Sequence, residues 1–367
     1  MNRRPLTPVA LCLLLFAFLP VLLPAPPAVA AEITREFTFA TGDLFVGNLI
    51  GAIDVRQGTG EAFKVTVHLR GDDMTADGVQ LLQEDNALRI RFPLEEHQTY
   101  VYPALGSGSS TTFSLHDQDT TEKSWLRRTF RMMSGQRVTV RGSGNGMEMW
   151  ADVIVEVPAG RTLTLRHGVG EVTAADLQAD LDLETDVGVI RVDHLRGDLR
   201  ADTGSGDVRA SDVEGDVDVD TGSGKVELRD CQATTAKVDT GSGGVEVAGL
   251  SCASLSIDTG SGSVSATGVA TDEAIIDTGS GNVEFRLDRM GGGRFVVDTG
   301  SGSIEMQLPA DASANIVAET GSGDIDSEVP GAEFEKRDDG SRHLALGDGA
   351  AEVTLDTGSG SVVVSRK

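Results

Sequence analysis

From Gly170 onward, apolar side chains recur at alternate positions in short runs, and each run starts two residues after a glycine. That second position holds Val172, Ile190, Val208, Val226, Val245, Val264, Val283, Ile304, Ile325 and Val362. The fourth holds Ala174, Val192, Ala210, Leu228, Val247, Ala266, Phe285, Met306 and Val364, while the first and third are mostly charged or hydroxylated. Such alternation is the pattern of a half-buried strand, because successive side chains of a strand point to opposite faces. A second run precedes each glycine, with Leu181, Leu199, Val217, Leu255, Phe295 and Val353 seven residues before it and Leu183, Val219, Val238, Ile257, Ile276, Val297 and Leu355 five before. Between the runs, Leu177, Leu195, Val213, Cys231, Leu250 and Val269 supply an apolar corner. One unit is therefore strand, corner, strand and glycine turn.

The unit repeats. Thr-Gly-Ser-Gly occurs eight times, at Thr203, Thr221, Thr240, Thr259, Thr278, Thr299, Thr320 and Thr357, seven times behind an aspartate and once behind Glu319. Successive second glycines are separated by 18, 19, 19, 19, 21, 21 and 37 residues, and degenerate copies at Gly188 and Gly170 extend the series backwards. The last interval spans two units, with Gly340 expected to mark the coil between them. A constant period of this size means a solenoid whose repeats bury their apolar faces only against neighbours. Strands joined at one period pair best with the equivalent strand one coil along, in parallel and about 4.8 Å away. The expected fold is all-β, a parallel β-helix of 18–21 residues per coil with one irregular insertion. By parity the threonine of each turn points inward, where its hydroxyl can bond along the stack, and the aspartate points outward. The glycines are expected to supply positive φ, and the aspartate to cap its own turn by accepting backbone N–H groups.

Composition supports a thin core: aromatics make up 4% of the 367 residues, against 45 glycines. Arg3 and Arg4, the apolar run from Val9 to Leu23 and Ala28-Val29-Ala30 read as a secretory signal cleaved near Ala31. Leu11 before Cys12 argues against a lipid-modified cysteine, and no later stretch is long and apolar enough to span a bilayer. Loss of the two arginines takes the net charge from −26 to −28, which repels nucleic acid and anionic lipid and favours solubility and cation binding, so no nucleic-acid partner is expected. Export makes a disulfide between Cys231 and Cys252 chemically possible, but they fall seven and nine residues after their glycines and are not stacked directly, which favours small core or corner residues over a bond. The expected organisation is a signal over 1–30, first coils and cap over 31–104, an insertion over 105–141 and the main solenoid over 142–367.

Asp-Thr-Gly-Ser is also the catalytic string of aspartic proteases, but that chemistry needs two converging loops, and copies spaced at one period line up along one edge instead. Calcium is the stronger alternative, with Asp202, Asp220, Asp239, Asp258, Asp277 and Asp298 as ligands, although the period and the single aspartate turn per coil depart from known calcium repeats. A β-helical polysaccharide lyase or hydrolase would need sugar-stacking aromatics, for which Trp125, Trp150, Tyr100 and Tyr102 are available outside the regular repeats. None of the six histidines neighbours a partner suggesting a triad or a zinc site, and His167 occupies an inward threonine position. The insertion is rich in Ser, Thr and Gly from Leu105 to Thr121 and basic from Lys123 to Arg141. There Trp125, Arg127, Arg128 and Arg131 offer either a side-packing cap or a partner-binding patch, and Trp125, Leu126, Phe130 and Met133 fall at helical spacing.

With its Asp-Thr-Gly-Ser-Gly turns, the opening segment Val46–Val55 and the lead-in Val157-Pro158-Ala159-Gly160, the chain resembles the bacterial adhesin-like family of exported domains of unknown function. The resemblance covers nearly all of the mature chain and implies a β-solenoid, an envelope or surface location and no known ligand. The expected function is that of a non-enzymatic adhesin-like or scaffold protein, secreted to the periplasm, cell surface or medium. Its partner would be an envelope protein or glycan, and it would need no cofactor.

Overall fold

Alternation along the chain builds two long parallel sheets that share one core. The computed structural model describes residues 33–114, 136–338 and 340–367. The predicted signal and the predicted patch residues Trp125, Arg127, Arg128 and Arg131 lie outside them. Ala31–Lys367 form one compact unit.

Strands after each glycine form the first sheet. Val172–Val187 pairs in parallel with Ile190–Arg196, that with Val208–Glu214, and so on through Val226–Arg229, Val245–Ala248, Val264–Thr271, Val283–Met290 and Ile304–Leu308. Strands before each glycine form the second: Arg161–Val169, the latter half of Val172–Val187, Leu199–Ser205, Val217–Thr221, Thr235–Thr240, Ser254–Thr259, Glu273–Thr278 and Arg294–Thr299. Like residues meet like, as in Asp258↔Asp277 and Thr259↔Thr278, so the expected vertical files are real. The inward positions are buried except Ile325 at the far end, which is half-buried, and the corner residues Leu177, Leu195, Val213, Cys231, Leu250 and Val269 are at most 1% exposed.

Coils do not follow chain order at the C-terminal end. Ala351–Thr357 pairs with Arg294–Thr299 on one side and Ala314–Thr320 on the other, and Val362–Arg366 lies between Ile304–Leu308 and Ile325–Ser327. The last coil of the sequence is thus the penultimate coil of the stack. Gly340 marks no coil: it lies between Glu335–Lys336 and Arg342–Leu346, which pair antiparallel and lay the latter strand along the outer edge of Ala314–Thr320. The C-terminal strand Val362–Arg366 is therefore paired on both edges.

The N-terminal end is closed by related means. Asp43–Ile50 and Ile53–Gln57 make a coil of the stack, beside Arg161–Val169 and Val172–Val187. Beyond it the pairing turns antiparallel, Phe63–Arg70 against Trp150–Val157 and then Ile33–Phe39, and Gln80–Glu84 against Ala87–Arg91. A parallel stack would otherwise end in a row of free N–H and C=O groups that recruits other chains. A small third sheet joins Thr99–Val101, Ser110–Ser114, Arg137–Arg141 and Met147–Glu148, so the stretch 105–141, expected to be irregular, has strands at both of its ends that pair antiparallel with each other.

Turn geometry corrects two expectations. A Cβ on Gly243 would sit 1.8 Å from the Gly224 carbonyl oxygen, and the equivalent contact is 1.8 Å at Gly262 and 2.1 Å at Gly281. The expected positive φ is found at Gly170 (140°), Gly188 (157°), Gly206 (149°) and Gly323 (157°), whereas at Gly243, Gly262 and Gly281 close approach of the neighbouring coil is what demands glycine. The threonine behaves as its parity implies: Oγ1 of Thr259 donates to the Gly243 carbonyl at 3.1 Å, Thr278 to Gly262 at 2.9 Å and Thr299 to Gly281 at 2.9 Å. The aspartate does not cap its turn. Among the described residues Asp220, Asp239, Asp258, Asp277 and Asp298 accept no backbone N–H, and the turn is closed by the first glycine, as when Gly279 N–H donates to the Thr259 carbonyl at 3.0 Å.

Candidate functional site

With the core closed by small side chains, the outward rows of the two sheets are the surfaces that a partner can meet. Their electrostatics differ.

On the first sheet, acids and bases alternate between coils and neutralise one another. Arg209 reaches Asp207 at 2.7 Å and Glu227 at 3.7 Å; Lys225 reaches Glu227 at 2.9 Å and Glu246 at 2.6 Å; Arg286 reaches Glu284 at 2.6 Å and Glu305 at 3.5 Å. The hydrogen bond from Lys225 holds the Glu227 carboxyl below the usual range. Exposed pairs of this kind contribute at most about 1 kcal/mol each, so their effect is a neutral charge pattern more than stability.

On the second sheet, neutralisation stops partway. Arg166 binds Asp182 at 2.7 Å and Glu184 at 2.8 Å, and Arg200 faces Asp218 at 3.6 Å. Beyond Lys237 the turn aspartates stand in file with no cation among the described residues paired to them: Asp258, Asp277, Asp298, Asp356 and Glu319 lie in register on successive strands. Burial first and then repulsion from Asp239 and Asp277 push the Asp258 carboxyl up, and burial with Asp356 and Asp277 does the same to Asp298. Asp220 is raised by burial and by Asp239.

The predicted calcium ligands are thus brought together as one file, Asp202 through Asp298, but as a straight row. Among the described residues no group of three or more His, Cys, Asp or Glu side chains is arranged to hold a metal ion. A row one strand apart cannot wrap six to eight oxygens round one cation at about 2.4 Å.

Aspartates that do bond backbone occupy a column the sequence reading passes over. Asp180 Oδ1 accepts the Asp198 N–H at 3.0 Å, Asp198 the Asp216 N–H at 2.9 Å, and Asp216 those of Thr234 and Thr235 at 3.0 and 2.9 Å. Another missed column turns the far corner at positive φ, with Asp176 at 55°, His194 at 53°, Asp212 at 50° and Asp230 at 52°, followed by Gly249 and Gly268. A period-18 recurrence of Asp, Asn, His or Gly at one position was the available signal, since these residues tolerate the left-handed region best. This corner puts His194 3.0 Å from Asp193, 3.6 Å from Asp212 and 3.8 Å from Asp176, closer company than the sequence suggests. It does not form a nucleophilic relay, because the neighbouring Ser211 hydroxyl donates to Asp193 at 2.5 Å rather than to the imidazole.

His167 is fully buried in the inward threonine file, as its position predicts. Nδ1 lies 3.1 Å from the Asn48 carbonyl and Nε2 2.9 Å from the Gly51 carbonyl, and burial lowers its pKa to about 4. Cys231 and Cys252 are buried, free thiols, in keeping with the core reading, and burial pushes both up. Of the aromatics weighed as sugar platforms, Tyr100 and Tyr102 are buried, and Tyr102 packs against half-buried Trp150 with ring centres 5.8 Å apart. They serve the cap. A cavity of about 470 Å³ beside it is lined by Asp73, Asp77, Arg91, Glu95, Glu96 and Met149 among others. Among the described residues no helix is long and apolar enough to cross a membrane.

No curated protein matches the chain. Three crystal structures align along most of its length. A proposed cell adhesion protein of Clostridium sporogenes is 11% identical over 92% of this chain and 100% of its own, with a TM-score of 0.20. A proposed adhesin of Bacteroides fragilis is 14% identical over 92% and 97%, with a TM-score of 0.35. A proposed lipid-binding protein of Parabacteroides distasonis is 13% identical over 90% and 96%, with a TM-score of 0.37. The family match is the firmer finding: residues 51–365 match the Toastrack DUF4097 description, a β-solenoid in agreement with the stacked parallel sheets, and the chain belongs to that family.

Proposed function

We propose that this chain is an exported, non-enzymatic β-solenoid that works as an adhesin-like or scaffold protein of the bacterial envelope. The observation that carries this reading is the pair of outward faces: charged rows in register at strand spacing, held on a frame whose interior is closed by valine, leucine, threonine and glycine. Such a frame holds side chains at fixed separations of about 4.8 Å and suits recognition of an extended protein or glycan more than chemistry at a point. Commitment of Tyr100, Tyr102 and Trp150 to the cap supports the same choice over a polysaccharide lyase, which would present them to sugar. Export rests on the N-terminal signal pattern, and Trp125, Arg127, Arg128 and Arg131 remain candidates for partner contact.

Two measurements test the reading together. The chain should fractionate with the envelope in its native cell, and Leu13→Arg with Leu14→Arg, which break the apolar run, should retain it in the cytoplasm. Purified protein should bind isolated envelopes saturably without releasing soluble saccharide. Cytoplasmic residence of the unaltered chain, or release of oligosaccharide from the envelopes, would overturn the proposal.

A further inference from the structure

One stretch of the second sheet is both unneutralised and apolar. Outward from Glu273–Thr278 to Ala314–Thr320, Ile275, Val296, Thr354 and Val317 face one another strand by strand, and His343 on the covering strand Arg342–Leu346 lies next to Val317. Ile275 is 54% exposed, the one large hydrophobic side chain so exposed among the described residues. Beside that stripe runs the unpaired file Asp258, Asp277, Asp298, Asp356 and Glu319. Glu273 and Glu352 flank it on the other side with Arg294 as the one cation of these strands, so seven carboxylates meet one base. An apolar stripe bordered by uncompensated acid is complementary to a segment carrying apolar and cationic side chains together.

The chain itself contains such a segment. Between Lys123 and Met133 the sequence sets Lys123, Arg127, Arg128 and Arg131 among Trp125, Leu126, Phe130, Met132 and Met133. It cannot cover the stripe of its own copy. Ser114 and Arg137 are paired, so the residues between them leave and return at one place and double back within about 36 Å. The stripe runs from six to nine strand steps beyond Arg161–Val169, about 29–43 Å, and the root of the insertion lies further out, where Tyr102 packs on Trp150.

We infer that the acidic, apolar stripe Ile275–Val296–Thr354–Val317 is a docking surface for the basic segment 123–133 of a second copy of this chain. The contact joins two different patches, so it is heterologous and adds copies head to tail, closing as a ring or growing as a filament. It is independent of any envelope partner and holds whether or not the adhesin-like reading does.

Sedimentation velocity on the purified chain tests this. At 50 mM salt the weight-average mass should rise with concentration, and 0.5 M salt should weaken the association at least tenfold, since the charges at the rim of the stripe are screened. Asp258→Lys, Asp277→Lys, Asp298→Lys and Asp356→Lys together turn seven acids and one base into three acids and five bases and should abolish association, and so should Arg127→Glu with Arg128→Glu and Arg131→Glu, which leave Lys123 against three acids; both sets alter surface charge and leave the core untouched. All seven substitutions in one chain should restore it, because each reversed face then meets a reversed segment. A wild-type chain that stays monomeric at every concentration, an association indifferent to either set, or a failure of the combined chain to recover would overturn the inference.

Discussion

Replacing His167 by threonine should remove an acid sensitivity built into the first coil junction. The imidazole is fully buried with a carbonyl oxygen at each ring nitrogen, 3.1 Å from Nδ1 and 2.9 Å from Nε2. In the neutral ring one nitrogen donates and the other turns a lone pair to its carbonyl; the second proton would complete both bonds, but desolvation of the charge outweighs them and lowers the pKa to about 4. An unfolded histidine titrates near 6.5. The folded state therefore resists protonation: the stability contributed by the neutral ring is whole above about pH 6.5 and is lost as pH falls from there towards 4. Two and a half units at 1.36 kcal/mol each give about 3 kcal/mol, a large part of the stability of an ordinary domain. In the His167→Thr chain the hydroxyl stands where the other threonines of the file stand, so the variant loses some packing at neutral pH yet carries no titrating group. Urea unfolding of both proteins between pH 7.5 and 4, followed by far-UV circular dichroism, gives the difference curve. The raised carboxylates act in the opposite sense, contributing stability as pH falls through their folded values, but they are common to both proteins and cancel. A flat difference curve, or an imidazole titrating above pH 6 in the folded protein, would refute the reasoning.

Gly243→Ala should cost about 3 kcal/mol or more, because its methyl would sit 1.8 Å from the Gly224 carbonyl oxygen, whereas Gly244→Ala, whose nearest neighbour is 3.6 Å away, should stay within about 0.5 kcal/mol of wild type by the same urea assay. Thr259→Val keeps the shape and removes the bond to the Gly243 carbonyl, so about 1–2 kcal/mol should be lost, and a cost near zero would show that the hydroxyl file contributes no net stability. Addition of a calcium chelator should leave the melting temperature unchanged, as the aspartate row does not converge on a cation; a fall of several degrees would restore calcium as a ligand.

Much of this architecture was legible in one dimension. The alternation Val226-Glu227-Leu228 and its counterparts fixed which side chains enter the core, and the spacing of Thr-Gly-Ser-Gly fixed the parallel pairing, because a strand recurring at constant period has its own copy as nearest equivalent. Parity alone placed His167 and the turn threonines inside and the aspartates outside. The role of those aspartates was not legible: a carboxylate beside two glycines has the sequence of a cap, yet the first glycine's N–H goes to the threonine carbonyl of the preceding coil, as Gly279 to Thr259, and at Gly206 the second goes to Ser223 of the next. The capping aspartates at 180, 198 and 216 lie outside any motif and are recognised only by their period.

What the sequence by itself determined was the coil: its strands, its inward file and its register. Only the tertiary structure decided the order of the coils at the ends, placing Ala351–Arg366 inside the stack and the antiparallel strand Arg342–Leu346 outside it. The reason is that every coil offers nearly the same edge to every other, so local pattern cannot rank neighbours. The ranking comes from the terminal edges, whose unpaired backbone groups must be covered, and from an excursion at residues 328–350 that fits nowhere but at the end.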